Sequence, residues 1–105
     1  MSKSLKRVRA ALRDAGLPDE IEEVSAARTA QEAADSMGCD LDQIVKSIIF
    51  RAESTNEAVL FLTAGGNTVC TTKATALACD PLGKADAALI RAQTGFAIGG
   101  VAPIG

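Results

Sequence analysis

The stretch Gln43-Ile44-Val45-Lys46-Ser47-Ile48-Ile49-Phe50 decides how the chain is read, because it reads as a buried strand with one residue out of place. Side chains alternate along a strand. Ile44, Lys46, Ile48 and Phe50 therefore share one face, and Val45, Ser47 and Ile49 the other. A lysine in an apolar row must find partners or keep its ammonium in a cleft, since an unpaired buried charge costs several kcal/mol. Two readings follow: Lys46 snorkels at the sheet edge, or it is a functional lysine.

Outward from this strand the chain reads as a mixed α/β domain. On the N-terminal side, Leu5, Val8, Leu12 and Ala15 recur at helical spacing over Ser4 to Ala15, with Ser4 as N-cap and Gly16 as stop. Lys3, Lys6, Arg7, Arg9 and Arg13 fall mainly on the opposite face. That face is either solvated or a patch for an RNA backbone. Glu20 to Val24 is expected as a short strand, and Thr29 caps a helix running to Met37, because Thr29-Ala30-Gln31-Glu32 has the S/T-x-x-E capping form. Gly38 ends it, and Asp40 to Gln43 connects to the Lys46 strand.

On the C-terminal side that strand runs to Ala52, and the polar residues 53–57 turn into Ala58 to Thr63. This second run is apolar on both faces and is expected at the sheet centre. Gly65-Gly66-Asn67 is a tight turn without a phosphate-binding pattern. Thr68 and Val69 suggest a short strand, Thr72 to Ala78 a helix closed by Asp80-Pro81, and Lys84 to Gln93 another with Ala85, Ala88, Leu89 and Ala92 inward. Thr94-Gly95 stops that helix, and Phe96 to Ile98 is expected as a final strand. The segment Gly99-Gly100-Val101-Ala102-Pro103-Ile104-Gly105 reads as a shaped loop whose backbone can approach a ligand closely.

Composition narrows the chemistry. The 105 residues suffice for one domain with a real core, and only three are aromatic, all Phe, so Ala, Val, Leu and Ile must build it. A net charge of −2 argues against coating nucleic acid through bulk electrostatics. Apolar runs are too short to span a bilayer, and the N-terminus lacks a signal-peptide core, so a cytoplasmic protein is expected. Cys39, Cys70 and Cys79 make a poor disulfide framework and a poor zinc site. There is no histidine, which removes Ser-His-Asp and Cys-His machinery from these residues. Chemistry must run on lysine, carboxylates, hydroxyls, backbone amides or the substrate itself.

Together, the Lys46 strand, the start of the Lys73 helix and the block from Thr94 to Gly105 resemble the YbaK and prolyl-tRNA synthetase editing-domain family, in order and spacing across essentially the whole chain. The resemblance implies a YbaK-like mixed α/β fold, with a curved mixed central sheet surrounded by helices. It also implies trans-editing: hydrolysis of the ester joining a wrong amino acid to tRNA, most often tRNA for proline carrying Cys, Ala or another small residue. Lys46 resembles the family's active-site lysine. Gly99 and Pro103 resemble its G-x-x-x-P loop, with Gly100 inside it, and Ser47 stands where the cysteine-clearing branch has Thr and the alanine-clearing branch Asn. Cys70 stands where many members carry an acidic residue. The implied partners are the acceptor end of mischarged tRNA and prolyl-tRNA synthetase, with no metal, no organic cofactor and no membrane.

Such an ester is already activated, so a site that orients the carbonyl and admits one water needs no protein nucleophile. Lys46 and the amides of residues 99 and 100 are the expected donors. Family members continue for about a third more chain, so residues 1–105 are expected to be a single domain lacking its usual C-terminal part. A non-catalytic module that docks on tRNA or a synthetase is the alternative, and an open sheet edge after Ile104 is a route to self-pairing.

Overall fold

The computed structural model describes residues 3–23 and 28–105. Among these, four helices, α1 (Lys3–Asp14), α2 (Ala30–Met37), α3 (Thr71–Ala78) and α4 (Ala87–Thr94), accompany three strands, β1 (Val45–Ala52), β2 (Ala58–Ala64) and β3 (Leu82–Lys84). The order along the chain is α1-α2-β1-β2-α3-β3-α4. The mixed α/β class expected from the alternation of patterns is the one observed. No helix among the described residues is long and apolar enough to cross a membrane.

The sheet order is β2-β1-β3, with both pairings antiparallel. The Lys46 strand is therefore the central one, and β2 lies at an edge. Its apolar second face is only partly covered, Leu60 being 39% and Leu62 57% exposed. A continuous apolar run marks burial on both faces only when layers cover both. Phe50 sits opposite Val59 and diagonal to Phe61, and the two rings meet edge-on with centroids 5.9 Å apart, a geometry worth about 0.5–1.5 kcal/mol. β3 pairs only with Phe50 to Ala52. The edge of β1 from Val45 to Ile49 consequently has no strand beside it among the described residues.

Two turns bring the ends of these strands together. Asn67 N–H donates to Ala64 O at 2.9 Å, and Gly65 N–H donates to Ile44 O at 2.8 Å. Gly65 must be glycine, because a Cβ there would stand 2.2 Å from the carbonyl oxygen of Leu41. Ser54 N–H donates to Asp80 Oδ2 at 3.0 Å, and the Ser54 hydroxyl donates to Asp80 Oδ1. This ties the β1–β2 turn to the end of α3.

Helix ends follow local chemistry. Thr29 Oγ1 accepts from Glu32 N–H at 3.1 Å, and Glu32 Oε2 accepts from Arg28 N–H, one residue before the cap. The capping box thus closes in a displaced form. Gly38, at φ 66°, lets Cys39 N–H reach Ala34 O and terminates α2. Asp86 Oδ1 caps α4 by accepting from Leu89 N–H at 2.8 Å.

Several expectations are corrected here. Ser4 lies within α1 and is not its cap. Residues 20–23 form no strand, and the last residue of that expected strand, Val24, lies outside the described residues. No strand forms at Thr68-Val69 or at 96–98. Lys84 belongs to β3, and the following helix starts at Ala87, where Asp86 supplies the cap. Ile90, rather than Ala88 or Ala92, is its buried residue. Leu-Gly-Lys is too short to show a period, and its pairing with Phe50 to Ala52 is a long-range choice.

The core is built from small residues around one ring: Ala34, Ala52, Ala74, Ala85 and Ile90 are buried with Phe96. The Arg7 guanidinium lies 4.8 Å from the Phe96 ring centroid, and Arg7 Nε donates to Gly105 O at 2.7 Å. Arg13 pairs with Asp19 and holds that carboxyl below the usual carboxylate range. Two cations of the basic face of α1 are thus engaged inside the molecule.

Candidate active site

A cleft of about 820 Å³ opens where β1 has no neighbour. Its floor is β1 itself, and its walls come from the start of α2, from β3 and from the loop after α4. Both faces of an unpaired strand edge are accessible, which explains why Lys46 and Ser47, on opposite faces by alternation, line the same space. Gly99, Gly100 and Pro103 line it as well. All five residues singled out in the sequence converge there.

Lys46 pairs in register with Thr63 and is half-buried. Its ammonium donates to Asn67 O at 2.6 Å, in the segment that follows the Gly65-Gly66 turn. An ammonium carries three donors, so one bond to the protein fixes its position and two remain for a ligand. The lysine in the apolar row is thereby reconciled with its surroundings by a backbone carbonyl rather than by a carboxylate. The Ser47 hydroxyl makes no hydrogen bond to protein among the described residues.

The loop divides its two glycine amides. Gly100 N–H donates to Ala97 O at 2.9 Å and closes a turn, so it is used internally. The Gly99 amide has no protein partner among the described residues. Gly99 adopts φ 81° with open space where a Cβ would go, so its glycine is required by backbone conformation and not by crowding. Of the two expected backbone donors, Gly99 is the one left available.

Two lining residues were not singled out in the sequence: Arg28, just before the α2 cap, and Lys84, at the end of β3. The first stands beside a cap motif that draws attention to Thr29, and the second falls in a segment that reads as helix. Cys70 is the N-cap residue of α3 but makes no capping hydrogen bond. A smaller groove lined by Cys70 and Lys73 lies on the outer side of β2.

Comparison with known proteins places this geometry. Residues 24–105 match the model of the aminoacyl-tRNA editing domain. A crystal structure of a protein proposed to be a trans-editing enzyme for prolyl-tRNA synthetase is 43% identical, superposes with a TM-score of 0.88, and is matched over 100% of this chain and 67% of its own. A scaffold protein used for computational grafting of epitope backbones is 38% identical, with a TM-score of 0.87, over 99% of this chain and 67% of that one. Among curated proteins none matches. The chain spans about two thirds of the length of both structures. With the family model covering residues 24–105 and the fold shared over the full length, the chain belongs to the aminoacyl-tRNA editing domain family.

Proposed function

We propose that the chain is a trans-editing aminoacyl-tRNA deacylase, which hydrolyses the ester of a mischarged tRNA, with tRNA for proline carrying Cys, Ala or another small amino acid as its substrate. The observation that carries this reading is the convergence of a positioned ammonium, Lys46, and an unengaged amide, Gly99, on one cleft large enough for an aminoacylated nucleoside. The carbonyl of the ester accepts from these donors. Water adds to the carbonyl carbon, and the resulting oxyanion is held by the same groups. The bond to the ribose oxygen then breaks, that oxygen takes the remaining proton of the added water, the first having passed to solvent as the water added, and the amino acid leaves as a carboxylate. One preorganised donor of this kind is worth about 10²–10³ in rate.

The small-residue preference rests on steric exclusion, where one methylene contributes about 1–3 kcal/mol. Prolyl-tRNA synthetase is the partner this assignment implies, and the cytoplasm, where tRNA is charged, its place of action. The test is hydrolysis of tRNA for proline charged with Cys, Ala, Ser, Thr or Pro, by the chain and by Lys46→Ala. Selective release of one amino acid, reduced at least about a hundredfold by the substitution, is expected. Full activity in a folded Lys46→Ala protein would overturn the role of Lys46. A non-catalytic tRNA- or synthetase-binding module is the second reading, favoured by the edge of β1 that has no strand beside it among the described residues. No release above the spontaneous rate from a folded sample would support it.

A further inference from the structure

We propose that Arg28 and Lys84 are phosphate grips, which bind the phosphodiester groups of the substrate's single-stranded 3′ end while Lys46 attends the ester; the proposal rests on the deacylase reading for the identity of that substrate. Charge placement is the first ground. The chain has 13 acidic and 11 basic residues, yet the charged side chains lining the cleft are Arg28, Lys46 and Lys84, with no carboxylate among the described lining residues. A cleft lined by one sign of charge concentrates ligands of the other sign. A cleft meant for the neutral ester and a protonated amino group alone would gain nothing from three cations.

Availability is the second ground. The side chains of Arg28 and Lys84 make no hydrogen bond or ion pair among the described residues, whereas Arg7 and Arg13 of α1 are engaged with Phe96, Gly105 and Asp19. The basic density that the sequence concentrates on α1 is partly used in holding the fold, whereas Arg28 and Lys84 stand at the cleft with their side chains uncommitted among the described residues. Spacing is the third. Lys84 lies beside Phe50, four residues along β1 from Lys46, which is about 13 Å at the rise of a strand. That separation leaves room for a nucleoside between the group that meets the ester and the group that meets the backbone.

The experiment uses an uncharged acceptor-stem minihelix RNA ending in single-stranded CCA, the same RNA carrying the cleared amino acid, and the corresponding aminoacyl-adenosine, which has no phosphate. Wild type is compared with Arg28→Gln/Lys84→Gln and with the α1 control Lys3→Gln/Lys6→Gln. The cleft variant is expected to bind the minihelix about tenfold more weakly. Its plot of log affinity against log salt should be shallower by about 1.4, at 0.7 per single-strand phosphate contact. KM for the charged minihelix should rise with kcat little changed, and turnover of aminoacyl-adenosine should stay at the wild-type level. The α1 control should behave as wild type. Unchanged affinity and salt slope in the cleft variant, or no binding of the minihelix by wild type, would overturn the proposal, as would an equal loss of aminoacyl-adenosine turnover. Binding with the expected slope change but no hydrolysis of either ester would uphold the grips and overturn the deacylase reading alone.

Discussion

Lys46 shows how one residue can satisfy a packing rule and a chemical need together. It sits half-buried opposite Thr63, and its charge meets the Asn67 carbonyl at 2.6 Å. A carboxylate partner would have neutralised it, whereas a carbonyl orients it and leaves the charge available. Asp80 illustrates the opposite case, a charge used for structure. The Ser54 hydroxyl, and after it the Ser54 amide, hold the Asp80 carboxyl below the usual carboxylate range. The folded value lies below the unfolded one, so the contribution to stability is fully present above the unfolded value and is lost as pH falls through the folded one. Ser54→Ala should therefore raise the Asp80 titration midpoint in a carboxyl-carbon NMR titration. Its stability deficit relative to wild type should be present at neutral pH and shrink in acid; a deficit independent of pH would locate the effect elsewhere.

At the scale of elements, the cleft exists because β3 is short. Three residues of pairing leave Val45 to Ile49 open on one side, and the loop after α4 approaches that side without forming a strand. Gln93 holds this arrangement in place: its Nε2 donates to Asn56 O and its Oε1 accepts from Ala58 N–H, both at 2.7 Å, joining α4 to the β1–β2 turn. Gln93→Ala removes both bonds and should cost about 1–2 kcal/mol in urea denaturation, with a larger loss of activity than of stability if the loop after α4 shifts. These elements differ in how far they were legible in the residues. α2, with its Thr29 cap and Gly38 stop, β1 and the Gly65 turn are set by local chemistry and appear where the sequence places them. β3 does not, because Leu82-Gly83-Lys84 has no local preference for a strand and is held by pairing with residues some thirty positions earlier.

At the scale of the molecule, a single ring organises the attachment of α1. Phe96 is 2% exposed, carries the Arg7 guanidinium on its face, and lies against the Gly105 end of the chain. With alanines forming most of the remaining buried set, little else can compensate for its loss. Phe96→Ala should cost about 3–5 kcal/mol, a large part of the roughly 5–15 kcal/mol by which domains are stable. A lowered denaturant midpoint with faster proteolysis of α1 is the expected outcome, and Phe96→Leu should restore most of both. If α1 stayed protected in Phe96→Ala, its attachment would have to rest on other contacts.

The sequence by itself determined the class of fold, the apolar strand with its anomalous lysine, the Thr29 cap and Gly38 stop of α2 and the shaped glycine loop, because each of these is a matter of periodicity or of local backbone chemistry. Lys46 stood out by its place in an apolar row and the loop from Gly99 to Pro103 by its composition, whereas Ser47, and the grouping of all five as one site, came from the resemblance to the editing-domain family; the structure sets all five around one cleft. Only the tertiary structure decided that β1 rather than β2 is central, that the Gly100 amide is consumed by Ala97 while that of Gly99 is not, and that Arg28 and Lys84 face the same cleft. Strand order, the partner of a loop amide and the destination of a charged side chain all depend on contacts between residues distant in the chain, which no local pattern encodes.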